Sequence, residues 1–315
     1  MRPMKILKPA KLKKGDLIGL ISPASPIDDP AKIDKGVLYL ESLGYRVLVG
    51  DSVKKNLGYL AGTDEERVSD IHAMFLNRQV KAIFCVRGGY GTPRLLRSLD
   101  YTMISRNPKI LVGFSDITAL QLAIWQKCRV ISFHGPMVGV DMASGMDPFT
   151  EEMLWQVLTS DKKPKQVTFD RNESTVLSPG SSEGRLLGGN LSLLITLLGT
   201  PYLPDLRNSI LLVEEIGEEP YRVDRMLTHL LNAGALKRVK AMVAGKFTDC
   251  VPKNSATSSR SVDEILRELA GVLRVPFLSN LPFGHFPKKL TLPIGLRVKV
   301  NATSLRLQFL EAAVV

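Results

Sequence analysis

The first half of the chain alternates short β-rich runs with segments of helical length. Five runs predict strands, over Leu17–Ser22, Tyr45–Val49, Lys81–Val86, Lys109–Phe114 and Arg129–Phe133. Parallel strands cannot be joined by a tight turn, because the crossover between them needs a dozen or more residues, usually a helix. Alternation of this kind is typical of α/β proteins. The sequence therefore predicts an N-terminal, Rossmann-like α/β domain with a parallel sheet.

The second half continues the alternation and then ends in strands. Helices are predicted over Leu191–Leu198, Tyr221–Leu231 and Val262–Val272, and strands over Ile210–Glu214 and Ala241–Phe247. The stretch from Leu290 to the end is rich in β-forming residues, and the alternation of Leu305, Leu307 and Phe309 suggests antiparallel pairing. We predict a smaller C-terminal α/β domain that is rich in β-structure.

Residues 160–183 interrupt both patterns with Lys, Pro, Ser and Gly, including the turn Ser178-Pro179-Gly180. A chain of 315 residues is long enough to form two domains. We expect an N-terminal domain over residues 1–160, a linker over 161–183 and a C-terminal domain over 184–315.

One helix start is well marked, at Thr63. Glu66 follows three residues later, which is the spacing of a capping box. Val68, Ile71 and Phe75 then recur at helical spacing. A helix that begins here is expected to turn this apolar stripe toward the core.

The charge and the cysteines exclude several classes of protein. Lys and Arg outnumber Asp and Glu by 42 to 31, but the basic residues are scattered and only 6% of residues are aromatic, so nucleic-acid binding is not predicted. Cys85, Cys128 and Cys250 lack the spacing of a disulfide framework or a zinc site. We expect no metal, no other cofactor and a reducing, cytoplasmic setting.

The apolar run Leu17–Ile21 is too short for the core of a signal peptide, and no run approaches the roughly 20 apolar residues that span a bilayer. We therefore expect neither a targeting segment nor a membrane partner. The run is interpreted as a buried strand.

Ser115 is the first candidate for chemistry. It lies in Gly113-Phe114-Ser115-Asp116, after a predicted strand and before the helical pattern of Ile117–Trp125. A serine at such a turn can expose its hydroxyl above the sheet edge, where backbone N–H groups at the helix start can stabilise an oxyanion. The alternative is that Ser115 only caps the helix.

A glycine-rich turn, Arg87-Gly88-Gly89-Tyr90-Gly91, also follows a predicted strand. Its glycines can bring backbone N–H groups close to a substrate oxygen. The turn lacks the spacing of a dinucleotide-binding motif or a P-loop. A plain glycine-rich turn is the competing interpretation.

A serine nucleophile needs a base, and the chain has four histidines. His72 and His229 lie in helical patterns, whereas His134 ends a strand and His285 lies in a loop, so the last two remain candidates. The orienting carboxylate is expected at the end of the strand Ile210–Val213, where Glu214 and Glu215 are adjacent. Only one of the two can face a given site, because successive strand residues point to opposite sides.

Together these segments resemble the LD-carboxypeptidase family, serine peptidases that include the microcin-immunity peptidases. The likeness extends over nearly the whole chain. It rests on Gly15-Asp16 before Ser22-Pro23-Ala24-Ser25-Pro26, on the Arg87–Gly91 and Gly113–Asp116 turns, on Phe133-His134-Gly135-Pro136, on Gly184–Leu191, on Glu214–Arg225, and on Gly284-His285 before Leu292-Pro293-Ile294-Gly295.

The resemblance implies a catalytic triad of Ser115 as nucleophile, His285 as base and Glu214 as the acid that orients the histidine. The backbone N–H groups of Gly89 and Asp116 would form the oxyanion hole. The family usually has Glu-Asp where this chain has Glu214 followed by Glu215.

The family fold is similarly two α/β domains with the site in the cleft between them, and the resemblance also implies a homodimer. It implies a murein tetrapeptide as substrate, whose carboxylates Arg87 and Arg185 are candidates to bind, with Tyr90 as a further contact. Two alternatives stay open at this point: cleavage of an acyl group from a nucleotide-like amine, and a noncatalytic binding protein on the same scaffold.

Overall fold

The computed structural model describes residues 5–254 and 259–315. The strands of its first half are β1 (Leu17–Ile21), β2 (Arg46–Val49), β3 (Val80–Cys85), β4 (Ile110–Gly113) and β5 (Ser132–His134). The helices between and after them are α1 (Ala31–Ser42), α2 (Asp64–Leu76), α3 (Thr92–Leu95), α4 (Tyr101–Arg106), α5 (Ile117–Cys128) and α6 (Pro148–Thr159), with 3-10 turns at Leu96–Ser98 and Met142–Ser144.

All five predicted N-terminal strands are present. The last of them begins at Ser132 rather than Arg129, because Arg129 takes a left-handed conformation with φ of 55° that ends α5. The strands form a six-stranded sheet in the order β12-β5-β4-β3-β1-β2, in which β12 (Leu292–Ile294) comes from near the end of the chain. β12 pairs antiparallel with β5, and the other pairs are parallel.

The second half of the chain forms a larger sheet. Its strands are β6 (Val167–Thr168), β7 (Thr175–Ser178), β8 (Ser181–Asn190), β9 (Ser209–Ile216), β10 (Ala241–Thr248), β11 (Phe277–Ser279), β13 (Arg297–Asn301) and β14 (Arg306–Phe309), and its helices are α7 (Leu191–Leu197), α8 (Pro220–Asn232) and α9 (Val262–Leu273). The strand order is β6-β14-β13-β8-β9-β10-β11-β7. The pairs from β8 to β11 are parallel, and the outer pairs, including the predicted one at the chain's end, are antiparallel.

The two sheets do not divide the chain at the predicted points. The segment 161–183 contains β6, β7 and the start of β8, all of which belong to the second sheet. Conversely, β12 lies within 184–315 but completes the first sheet. The strands β6, β7 and β12 lie at sheet edges and are only two to four residues long, which is too short to show an apolar periodicity in the sequence.

The two halves meet along α5, which is buried for almost its whole length. Gly188 and Gly189, in β8, have φ of +119° and +144°. A methyl group on Gly189 would lie 2.5 Å from Thr118 Oγ1 of α5, and one on Gly188 would lie 2.1 Å from the Leu212 carbonyl oxygen. The backbone N–H of Asn190 donates to Thr118 Oγ1 at 3.1 Å. Only glycine therefore allows β8 to approach α5 and β9 this closely.

The predicted capping box at the start of α2 is confirmed, since Thr63 Oγ1 accepts from the Glu66 N–H and the Glu66 carboxylate accepts from the Thr63 N–H. Thr63→Ala is expected to lower the free energy of unfolding by about 1 kcal/mol. Urea unfolding followed by circular dichroism measures this. Thr63→Ser keeps the hydroxyl and serves as the control, and equal stability of the two variants would contradict the assigned cap.

Candidate active site

Three side chains from three distant segments meet at the junction of the two sheets. His285 Nε2 lies 3.0 Å from Ser115 Oγ, and His285 Nδ1 lies 2.7 Å from Glu214 Oε2. The Glu214 side chain is fully buried, and that of His285 is mostly buried. The structure thus brings the sequence-predicted serine, histidine and glutamate into one hydrogen-bonded line.

Ser115 occupies a strained turn between β4 and α5. Its φ is +63°, a left-handed conformation that is uncommon for residues other than glycine. The residue at the N-cap of α5 is Asp116, which makes no capping bond with its side chain, and the Ser115 hydroxyl faces His285. The turn therefore presents the hydroxyl to the imidazole, as a nucleophile elbow does.

The adjacent glutamates Glu214 and Glu215 face opposite sides of β9, as the pleat requires. Glu215 accepts hydrogen bonds from Asn190 Nδ2 at 2.8 Å and from Ser192 N and Oγ at 2.8 and 2.6 Å. Burial raises the pKa of Glu215 despite these donors. Glu215 therefore anchors the start of α7, and Glu214 is the one that contacts His285.

The other candidate base, His134, lies near the three side chains but does not contact the serine. Its ring is 99% buried, with its centroid 5.8 Å from that of Phe114 and 5.9 Å from that of Phe283. Neither ring nitrogen has a hydrogen-bond partner within the residues that the structure describes. Burial lowers the pKa of His134 to about 4, so it is a neutral core side chain at physiological pH.

The glycine-rich turn packs directly against the nucleophile turn. A methyl group on Gly88 would lie 2.8 Å from Ser115 Cβ and 3.3 Å from the backbone nitrogen of Asp116. Two bonds from Thr92 tie the turns together, since its N–H donates to the Asp116 carboxylate at 2.8 Å and its hydroxyl donates to the Asp116 carbonyl at 2.5 Å. The segments that carry the Gly89 and Asp116 N–H groups are thus held side by side.

One of the three predicted substrate contacts lies apart from the other two. Arg87 follows β3 and donates to the Pro26 carbonyl and the Asp28 carboxylate, each at 2.9 Å. Tyr90 is half exposed, and its backbone N–H donates to Ser25 Oγ. Arg185 instead stacks on Trp125, near the far end of α5 and about 15 Å along the helix from Ser115. It does not join the other two.

Sequence reasoning missed a pocket of about 330 Å³ beside His285. Its walls include Phe114 and Phe286, and Lys289 contributes an amine that bonds to Asp141 at 2.6 Å. This ion pair is largely buried. Phe286 and Lys289 follow the histidine closely in sequence, but Asp141 comes from a loop that only the tertiary structure brings near.

Within residues 5–254 and 259–315, no group of three or more His, Cys, Asp or Glu side chains could hold a metal ion. The same part of the chain contains no helix long and apolar enough to cross a membrane. Cys85, Cys128 and Cys250 are free and buried, and burial raises the pKa of each thiol.

The low pKa of His134 predicts a pH dependence of stability. As pH falls from about 6.5 to 4, the unfolded chain binds a proton at this histidine that the folded protein does not, so the free energy of unfolding falls by roughly 3 kcal/mol. His134→Phe should lose less stability over this range than the unaltered protein. Chemical unfolding at a series of pH values tests this, with the exposed His229→Gln as control. Identical pH profiles for His134→Phe and the unaltered protein would refute it.

Comparison with known proteins places the chain in one family. Residues 18–135 match the LD-carboxypeptidase N-terminal domain and residues 183–300 the C-terminal domain. A probable murein peptide carboxypeptidase of Bacillus subtilis is 40% identical, over 98% of this chain and 95% of its own length.

Solved structures share the whole fold. A muramoyltetrapeptide carboxypeptidase of Oxalobacter formigenes superposes with a TM-score of 0.82 at 34% identity, covering 93% of this chain and 97% of its own. The microcin C7 self-immunity protein MccF superposes with a TM-score of 0.89 at 27% identity, covering 98% of this chain and 100% of its own. The chain therefore belongs to the LD-carboxypeptidase family of serine-type hydrolases.

Proposed function

We propose that this enzyme hydrolyses the bond between an L-configured centre and the terminal D-alanine of a murein tetrapeptide, releasing a tripeptide and D-alanine. The observation that carries the proposal is the line of contacts from Glu214 through His285 to Ser115. The similarity to a probable murein peptide carboxypeptidase of Bacillus subtilis and to a muramoyltetrapeptide carboxypeptidase of Oxalobacter formigenes supports this substrate class.

In the proposed reaction, Ser115 Oγ attacks the scissile carbonyl carbon while His285 Nε2 accepts the hydroxyl proton. The carbon–nitrogen bond then breaks, and His285 returns the proton to the departing amine of D-alanine. Water, activated by the same imidazole, hydrolyses the acyl-enzyme and restores the Ser115 hydroxyl. The catalytic roles of the three residues are part of the proposal.

The environment of Glu214 suits the orienting role. Its Oε2 faces His285, while its buried Oε1 has no hydrogen-bond partner among the described residues. The charge of the carboxylate is thus not shared with other donors and favours the imidazolium that forms during attack. A nearby low-dielectric core strengthens this interaction.

The oxyanion of the tetrahedral intermediate would be bound by the backbone N–H groups of Gly89 and Asp116. The contact of Gly88 with Ser115 and the bonds from Thr92 to Asp116 support this assignment, because they fix the two turns against each other.

Substrate recognition would use the surface around this turn. Arg87 and Tyr90 belong to the glycine-rich segment, and we propose that they contact the carboxylates and the peptide body of the substrate. The formal net charge of +11 favours approach of a ligand with several carboxylates. The pocket beside His285 offers room for one side of the scissile bond.

An aminoacyl-nucleotide substrate is the second candidate. Tyr59 and Tyr90 are 64% and 50% exposed, and their rings form an edge-to-face pair with centroids 5.5 Å apart. The Ser25 hydroxyl donates to the Tyr59 carbonyl and accepts from the Tyr90 N–H, so the pair is anchored next to Gly89. Such an aromatic surface could stack a nucleobase.

Further parts of the proposal rest on the family resemblance alone. They are a role in peptidoglycan recycling, a cytoplasmic location and assembly as a homodimer.

The identity of the substrate distinguishes the two candidate functions. The intact protein should release D-alanine from a murein tetrapeptide, and Ser115→Ala should reduce the rate at least 1,000-fold because the acyl-enzyme cannot form. Mass spectrometry of the products measures this, with an aspartyl sulfamoyl adenosine as competing substrate. Cleavage of the nucleoside conjugate alone would favour the second candidate, and no cleavage of either would contradict hydrolysis at this site.

A matched pair of substitutions tests the acid. Glu214→Gln should lower kcat by about 100-fold or more, because the amide cannot stabilise the imidazolium. Glu215→Gln should leave kcat within a few-fold but lower thermal stability, because an amide has a single acceptor oxygen and cannot accept from both Asn190 and Ser192. The reverse pattern would exchange the roles of the two glutamates.

A further inference from the structure

Four arginines line a second cavity, of about 610 Å³, at the end of α5 opposite to Ser115. They are Arg129, Arg185, Arg207 and Arg297. Ser115 lies two residues before the first residue of α5, and Arg129 directly follows the last, so about 18 Å of helix separates the two sites. This cavity is larger than the pocket beside His285 and is not part of the proposed catalytic machinery.

The strand register of the second sheet places several of these arginines next to one another in the cavity wall. Arg297 of β13 is directly opposite Arg185 of β8, and Ser209 of β9 is opposite Arg185 on its other side. Arg207 precedes Ser209 by two residues. Like charges directly opposite each other on neighbouring strands are destabilising. The sheet therefore carries an electrostatic cost here that an anion would offset.

Two of the guanidinium groups are held in place by one indole. The Arg129 and Arg185 guanidinium carbons lie 5.2 and 5.7 Å from the ring centroid of Trp125, which is buried. Arg185 also donates to the Gly295 carbonyl at 2.8 Å. These cation–π contacts and the hydrogen bond fix the donors before any ligand binds, which lowers the entropy cost of binding.

Two carboxylates in the cavity wall neutralise only part of this charge. Asp205 pairs with Arg207 at 2.5 Å, and Glu183 lies 3.5 Å from Arg297. Both members of each pair are substantially exposed, so water screens these interactions.

The remaining two arginines are less well compensated. Glu311 lies 3.7 Å from Arg185 but only 2.7 Å from Lys8, so it is shared between two cations. Arg129 has no carboxylate within ion-pairing distance among the residues that the structure describes. Burial, together with the charges of Arg297 and Arg129, lowers the pKa of Arg185. The cavity thus has an excess of fixed positive charge.

We propose that this cavity binds an oxyanion with two or more negative charges, namely the phosphate group of a small phosphorylated molecule. Guanidinium groups bind phosphate oxygens through paired, charge-assisted hydrogen bonds. A volume of about 610 Å³ accommodates more than the phosphate itself. Arg129 comes from the first half of the chain and the other three from the second, so the ligand bridges the two halves.

Isothermal titration calorimetry tests the site, with inorganic phosphate and ribose 5-phosphate as probes and sodium chloride holding the ionic strength constant. Arg185→Gln and Arg297→Gln should each weaken phosphate binding about tenfold or more, because each removes a charged donor. The control is Arg106→Gln, at an exposed arginine of α4 that does not line the cavity, which should bind as the unaltered protein does. Tighter binding of ribose 5-phosphate than of phosphate identifies an organic ligand, and equal binding identifies free phosphate.

Equal phosphate affinity of Arg297→Gln and the unaltered protein would overturn the proposal, as would an absence of phosphate binding by the unaltered protein. Circular dichroism verifies that each variant is folded. If Arg185→Gln fails to fold because it loses the bond to Gly295, then Arg129→Asn provides the second variant, since asparagine tolerates the left-handed conformation at that position. Binding is measured without substrate, so its outcome is independent of the hydrolytic activity.

Discussion

The arrangement of the molecule depends on the close approach of β8 to α5. Gly188 and Gly189 take backbone conformations that exclude side chains, and Thr118 of α5 fills the space where a methyl group on Gly189 would lie. In the parallel pairing of β8 with β9, the next residue, Asn190, is opposite Glu214. Because α5 begins just after Ser115, the contact that joins the two sheets also sets the distance between the serine and the glutamate. A single imidazole then spans that distance.

The strain at Ser115 is supported by its surroundings. A left-handed residue that is not glycine carries an energetic cost of order 1–3 kcal/mol, and it persists only where neighbouring structure determines it. Here Gly88 packs on the serine from one side, and Thr92 bonds both the carboxylate and the carbonyl of Asp116 on the other. Packing in the first sheet thereby holds the hydroxyl in the position from which it contacts His285.

One helix connects two places of different chemistry. The start of α5 carries the serine turn, in a region of buried and partly buried groups, whereas Trp125 near its end contacts two guanidinium groups. The strands β8 and β9 run alongside and contribute to both places.

The sequence by itself determined the local structure and the set of candidates. Strand alternation, the capping box at Thr63 and the family motifs all depend on residues close together in the chain, where periodicity and hydrogen bonding act directly. Only the tertiary structure showed that Glu214, and not Glu215, contacts His285. It also showed that Arg185 lines a distant cavity and that β12 belongs to the first sheet. These outcomes depend on strand register and packing between segments far apart in sequence, which no local pattern records.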